Sequence, residues 1–242
     1  MQYVTDFVSG KRQHPKTNHM EWAATHQLNF HHYFMITSWL LDVERKIEER
    51  TAGATAKSDV LYPSRRFEYP WTFERLPQRR CRILDAGGGP GPLQYLLSML
   101  NTEVVNVDIN KDYLAEVDLL TSLFEEFRNI KTVHGDFTKL SYPDNYFDAT
   151  VCVSAVEHGN HRMIVEAINE FRRVTKGPIM LTMDVSMENG IHPECVNLDT
   201  LRTIASQLGF SVPPLPADLL SMETHDRHRF AIACVYLHGD NI

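Results

Sequence analysis

The 242-residue chain is poor in cysteine, with only Cys81, Cys152, Cys195 and Cys234, and no two are spaced as a Cys-x-x-Cys pair. That excludes a disulfide framework or zinc ribbon, and four reduced, core-type thiols are expected instead. No apolar run approaches the roughly 18 residues of a membrane-spanning helix; the longest, Phe230 to Leu237, has the length of a strand. The first 20 residues mix Lys, Arg and His without an apolar block, so no secretory signal is read and a cytoplasmic protein without a membrane partner is expected. Positive charge is not in excess either. Lys and Arg total 24 against 31 Asp and Glu, a net charge of −7, which disfavours a general nucleic-acid binder working by phosphate neutralisation. The 12 histidines are scattered, His31 and His32 cannot share one helix face, and no paired metal spacing occurs, so no metal is expected. Internal repeats and low-complexity tracts are lacking, and nothing in the sequence sets an oligomeric state.

What is present is enough apolar material, 43%, for a full core. From about Arg82 onward, short apolar runs alternate with helical stripes. The runs are Arg82 to Ala86, Glu103 to Asp108, Ile130 to His134, Tyr146 to Val153, Pro178 to Val185 and Phe230 to Leu237. Helical spacing joins Leu93, Leu96, Leu97 and Leu100; Tyr113, Val117, Leu120, Phe124 and Phe127; Ile164, Ala167, Ile168 and Phe171; and Leu201, Ile204, Ala205 and Leu208, stopped by Gly209. Strands alternating with helices predict an α/β, doubly wound, mainly parallel sheet covered on both faces. Residues 1–80 differ and are read as an N-terminal helical extension of a domain over 81–242. There, a helix over Met20 to Phe30, a second carrying Ile36, Trp39, Leu40, Val43 and Ile47, and a loop over Thr51 to Ser58 are expected. Leu61 to Arg80 mixes aromatics, prolines and arginines, including Glu68-Tyr-Pro-Trp-Thr-Phe.

The chemically informative segment is Ile83-Leu-Asp-Ala-Gly-Gly-Gly-Pro-Gly-Pro-Leu. A strand runs into Asp85, a glycine turn follows, and a helix begins, offering free N–H groups at the crevice where such sheets bind ligands. The spacing Asp85-x-Gly87-x-Gly89-x-Gly91 does not fit the dinucleotide fingerprint, whose last position would fall on Pro92. An acidic residue at the strand end would repel a pyrophosphate and attract an ammonium group.

These features resemble the class I S-adenosylmethionine-dependent methyltransferases, and the match covers roughly Arg80 to Leu237. Asp108 ends the second strand of the domain, where the family places a carboxylate on the ribose hydroxyls, with Ile109 beside it. His134-Gly-Asp-Phe resembles the segment whose Asp pairs with the adenine amino group, which puts Asp136 and Phe137 at the cofactor. Asn145 to Ser154, followed by Ala155-Val-Glu-His, resembles the fourth strand and the loop at the methionine end, implicating Val153 and Ser154. Gly177-Pro178 stands where the family usually has proline-glycine. The resemblance implies a seven-stranded Rossmann-like methyltransferase sheet and S-adenosylmethionine as cofactor. It puts Asp85, Gly87, Gly88, Gly89, Gly91, Asp108, Ile109, Asp136, Phe137, Val153 and Ser154 around that cofactor. Glu157 and His158 are the catalytic candidates, His158 the better base because its ordinary pKa lies near neutrality.

Blander readings stand beside these. Asp85 would also serve as a helix cap, Asp108 as a solvated strand end, Asp136 as an N-cap for Phe137 to Leu140, and Glu157-His158 as a packing pair. The expected activity is methyl transfer to a small-molecule acceptor. The alternatives are a protein or nucleic-acid methyltransferase, although no Asn-Pro-Pro-Tyr-type loop follows Val153, and a non-catalytic methyltransferase-like subunit. The N-terminal segment is expected to close the acceptor site as a lid, with Trp22, Phe30, Tyr33, Phe34 and Trp39 as apolar walls.

Overall fold

The computed structural model describes residues 4–8, 30–51, 64–77, 79–100, 102–186, 194–212, 222–223 and 229–237. Its strands are β1 (Val4–Val8), β2 (Arg82–Ala86), β3 (Glu103–Asp108), β4 (Ile130–His134), β5 (Ala149–Val153), β6 (Ile179–Ser186), β7 (Val196–Asn197), β8 (Met222–Glu223) and β9 (Arg229–Leu237). Seven of them lie in the order β1-β9-β6-β5-β2-β3-β4, with β7 beside β6 and β8 beside β9. The joins from β6 through β5, β2 and β3 to β4 are parallel, and β9 runs antiparallel to β6. This is the mainly parallel, seven-stranded arrangement expected from the sequence. All four cysteines are buried and none forms a disulfide. Among the described residues no helix is long and apolar enough to cross a membrane.

Strand side chains alternate between two apolar layers, as a sheet buried on both faces requires. On β2, Ile83 joins one layer and Leu84 and Ala86 the other. The second layer is covered by α5 (His161–Val174) and α6 (Leu198–Leu208). Side-chain oxygens of Asn160 and Asn197 cap their N-termini, and Gly209, at φ +75°, ends α6 in the left-handed turn that a glycine adopts without strain. The first layer is covered by α1 (Phe30–Thr51), α2 (Arg65–Arg75), α3 (Leu93–Met99) and α4 (Lys111–Leu123).

The described parts of the N-terminal segment therefore belong to the body of the fold. Ile36, Leu40, Val43 and Ile47 recur on one face of α1 and are buried in the same core as Tyr95, Leu96 and Ile83. Strand β1 forms an edge of the sheet, pairing antiparallel with β9 from Val4 opposite Tyr236 to Val8 opposite Ile232. A strand there was not expected, nor was α2, which contains Pro70. Burial of Tyr69, Trp71 and Phe73 overrides the helix-breaking preference of the proline. Trp22, the rest of the helix expected before Phe30, and the loop expected after Thr51 lie outside the described residues, as do the side chains of Phe30, Tyr33 and Phe34. Trp39 is exposed, outside the buried stripe of α1. On α4 the stripe is also rotated from the expected one. Leu114, Val117 and Leu120 are buried, whereas Tyr113 faces outward and Phe124 and Phe127 pack from the following 3-10 turn.

Candidate active site

The carboxyl ends of β2, β3, β4 and β5 converge on the glycine turn. Gly87 and Gly89 have φ of +68° and +50°, a region that a Cβ makes costly. The Gly87 N–H donates to Val107 O at 2.8 Å, and a Cβ on Gly87 would stand 2.5 Å from the Cβ of Ala155 and 3.4 Å from the Phe137 ring. A Cβ on Gly88 would meet Asp85 Oδ2 at 2.5 Å, so the Asp85 carboxylate lies directly under the turn. At Gly89 there is room for one: such a Cβ would make only ordinary contacts, with Tyr113 Cδ2 at 3.5 Å and Asp108 Oδ2 at 3.9 Å. At Gly91 it would meet Gly88 O at 3.0 Å and the Tyr69 hydroxyl at 3.1 Å.

Asp108 fastens the turn to β3. Its Oδ2 accepts from Gly89 N–H at 3.0 Å and its Oδ1 from Asn110 N–H at 2.7 Å. Behind the turn, two buried amides complete the clamp. Gln94 Nε2 donates to Gly89 O (2.8 Å) and Gly91 O (3.0 Å), while Asn106 Nδ2 donates to Gly89 O (2.7 Å) and to Gln94 Oε1 (2.9 Å). Neither residue was anticipated. A buried asparagine in the middle of the otherwise apolar Val104-Val-Asn-Val107 was the available signal.

Asp85 is buried, and no described residue donates a hydrogen bond to its carboxylate. Burial, reinforced by the nearby Asp108, pushes its pKa up to about 7. Asp136 lies on the exposed turn after β4, where its Oδ1 accepts from Thr138 N–H (2.8 Å) and Thr138 Oγ1 (2.7 Å). The helix expected over Phe137 to Leu140 is absent, so Asp136 closes a turn and caps no helix, and its Oδ2 has no partner among the described residues. Phe137 is half-buried, its ring centroid 5.8 Å from that of Phe171. Ile109 is exposed beside Asp108, and Val153 is half-buried at the end of β5.

Past β5 the chain enters a second polar cluster. Ser154 sits at φ +44°, and its N–H donates to Thr182 O at 3.0 Å. Glu157 and His158 diverge: Glu157 is buried and its Oε1 accepts from Asp184 N–H at 3.2 Å, whereas His158 is exposed. Glu157 Oε2 and Asp184 Oδ1 are buried without a hydrogen-bond donor. Burial and the neighbouring Glu68 raise the Glu157 pKa to about 8; burial, then Glu157, raises that of Asp184. Glu68, on α2, is the exception. Burial opposes its charge, but Arg65 and the hydroxyls of Ser154 and Thr182 outweigh it and keep its pKa low.

Residues 83–177 match the family model described as a methyltransferase domain. The match takes in the glycine turn and the strands around it, less than half of the chain. It is similar to a sterol 24-C-methyltransferase of Gibberella zeae, 29% identical over 126 residues, which are 46% of this chain and 32% of that protein. It is also similar to a ubiquinone/menaquinone biosynthesis C-methyltransferase of Coxiella burnetii, 27% identical over 164 residues, 66% of this chain and 61% of that protein. The chain thus spans about a third to three fifths of the length of these relatives. Among solved structures, the magnesium protoporphyrin IX methyltransferase of Synechocystis, crystallised with S-adenosylmethionine, shares the fold at a TM-score of 0.50. It is 16% identical, with 69% of this chain and 75% of that chain covered. The methyltransferase match places the glycine turn, Asp108 and Asp136 within the matched span and leaves α1 and α2 outside it.

Proposed function

We propose that this chain is a class I S-adenosylmethionine-dependent methyltransferase, which binds the cofactor at the glycine turn and transfers its methyl group to a small-molecule acceptor. The observation that carries the reading is the left-handed glycine turn itself, with room for contact at Gly89 beside Asp108 and Tyr113, and with Asp85, Phe137 and Ala155 around the same turn. The fit is chemical as well as steric. A buried carboxylate without a donor, Asp85, suits an ammonium group, and Asp108 keeps lone pairs for a vicinal diol. The cofactor supplies a methyl already activated by its sulfonium, so the chain's own work is binding, alignment and exclusion of water. His158, exposed at the end of β5, is the candidate base for an acceptor that binds protonated. Glu157 holds its proton at neutrality and is suited to shaping the wall.

The small-molecule relatives support the acceptor class, as does the net charge of −7. Calorimetry with S-adenosylmethionine, S-adenosylhomocysteine and NAD tests the first half: micromolar binding of the first two and none of NAD is expected, and preference for NAD would overturn it. Incubation with methyl-labelled cofactor and cell extract tests the second. Label should enter the low-molecular-weight fraction; label confined to protein or RNA would refute a small-molecule acceptor.

Two further results are expected here. Asp85 attracts an ammonium group only when ionised, and its pKa lies near 7 in the free protein. The association constant should therefore fall by up to about tenfold per pH unit below 7, with proton release on binding between about pH 5.5 and 7.5. Asp85→Asn should bind weakly without that slope, and an equal slope in the variant would remove Asp85 from the site. Asp136→Ala should weaken the cofactor by about 1–2 kcal/mol, the scale of one hydrogen bond. It should also lose discrimination against the inosine analogue, which loss of the turn with Thr138 alone would leave unchanged.

A further inference from the structure

Among the described residues, the N-terminal segment meets the crevice through α2. Its Glu68 is fully buried and accepts three hydrogen bonds from elsewhere in the fold or the helix. Oε1 takes Ser154 Oγ at 2.5 Å and Thr182 Oγ1 at 2.6 Å, and Oε2 takes Arg65 Nη1 at 2.6 Å. The adjacent Tyr69 places its hydroxyl beside Gly91. A single helix therefore touches both the end of β5 and the glycine turn.

Ser154 occupies the left-handed region, at φ +44°, which is unfavourable for a residue with a Cβ and persists only when its surroundings enforce it. Two contacts do so: its N–H is held by Thr182 O, and its hydroxyl by Glu68. The next residue, Ala155, is the one whose Cβ closes the space beside Gly87. Any relaxation of Ser154 shifts that wall.

We propose that Glu68 is a positioning residue for the cofactor crevice, holding Ser154 in the turn that sets Ala155 against Gly87. This rests on the reading of the crevice as the S-adenosylmethionine site. Glu68 has no exposed surface, so it acts through Ser154 and does not touch a ligand. A carboxylate suits the task because all three partners are donors, whereas a glutamine would turn an NH2 group against one of them.

The test uses the full chain, S-adenosylhomocysteine calorimetry and amide hydrogen exchange at Ser154. Glu68→Gln and Ser154→Ala should each lower affinity by about tenfold, the weight of one strong hydrogen bond, and speed exchange at residue 154. Measured in a Ser154→Gly background, Glu68→Gln should cost less than about twofold, because glycine adopts the turn unaided. An equal loss in both backgrounds would overturn the proposal, since Glu68 would then act by another route or only through overall stability. If Glu68→Gln does not fold, Ser154→Ala, which leaves no buried charge unpaired, decides: unchanged affinity and exchange refute the role. If the unmodified protein fails to bind the ligand, the reading of the crevice falls, and exchange at Ser154 in the ligand-free variants still decides whether Glu68 holds the turn.

Discussion

Replacing Gly89 with valine should abolish measurable S-adenosylmethionine binding while leaving a folded protein. The residue lies over the one part of the glycine turn where a Cβ meets nothing closer than 3.5 Å. The added side chain is thus accommodated by the protein, in the space the cofactor requires. Its cost to the fold comes from a β-branched residue at φ +50°, of order 1–3 kcal/mol. Its cost to binding is larger, because it bars close approach to the turn, and a loss of about 100-fold or more corresponds to a few hydrogen bonds. Gly87→Val offers the contrast. There a Cβ would lie 2.5 Å from that of Ala155, so the damage should appear first in thermal stability. Calorimetry alongside thermal melts separates the two, and a Gly89→Val protein with undiminished affinity would refute the site.

How far such a site can be read from sequence depends on how local its parts are. Asp85, the glycines and Asp108 were legible because strand, turn and helix follow one another within a few tens of residues, and each has a spacing rule. Asp136 was read as a helix cap and as a candidate ligand; the chain turns there without forming a helix, so Oδ1 closes the turn on Thr138 and Oδ2 is the oxygen left for a ligand. Gln94 and Asn106 were not, because they matter only through the pairing of β2 with β3, which brings them behind Gly89. Tyr113 was assigned to a buried stripe, and only the true rotation of α4 turns it toward Gly89. Glu68 is the extreme case. It lies 86 and 114 residues from its two hydroxyl partners, on a helix whose Pro70 argues locally against a helix at all. The aromatic run around it was visible, but the reason for it, burial against the end of the sheet, is a tertiary fact.

The same distinction governs the N-terminal segment, and it reverses what a lid would lead one to expect on truncation. A detachable lid could be removed with cofactor binding intact. Deleting residues 1–57 from this chain instead removes β1 and the whole of α1. With α1 go the buried side chains of Ile36, Leu40, Val43 and Ile47, each contributing about 1.5–3 kcal/mol. Their total is comparable to the roughly 5–15 kcal/mol that separates folded from unfolded states in ordinary domains. With β1 goes the cover of β9, a nine-residue apolar strand whose edge would then be open to pairing with other chains. The truncated protein should therefore be insoluble or lack a cooperative melt, and Leu40→Ala in the full chain should cost about 2–5 kcal/mol, read as a lowered midpoint in denaturant. A truncated protein that melts cooperatively near the full-length temperature and still binds S-adenosylmethionine would show that β1 and α1 are only an appended cover.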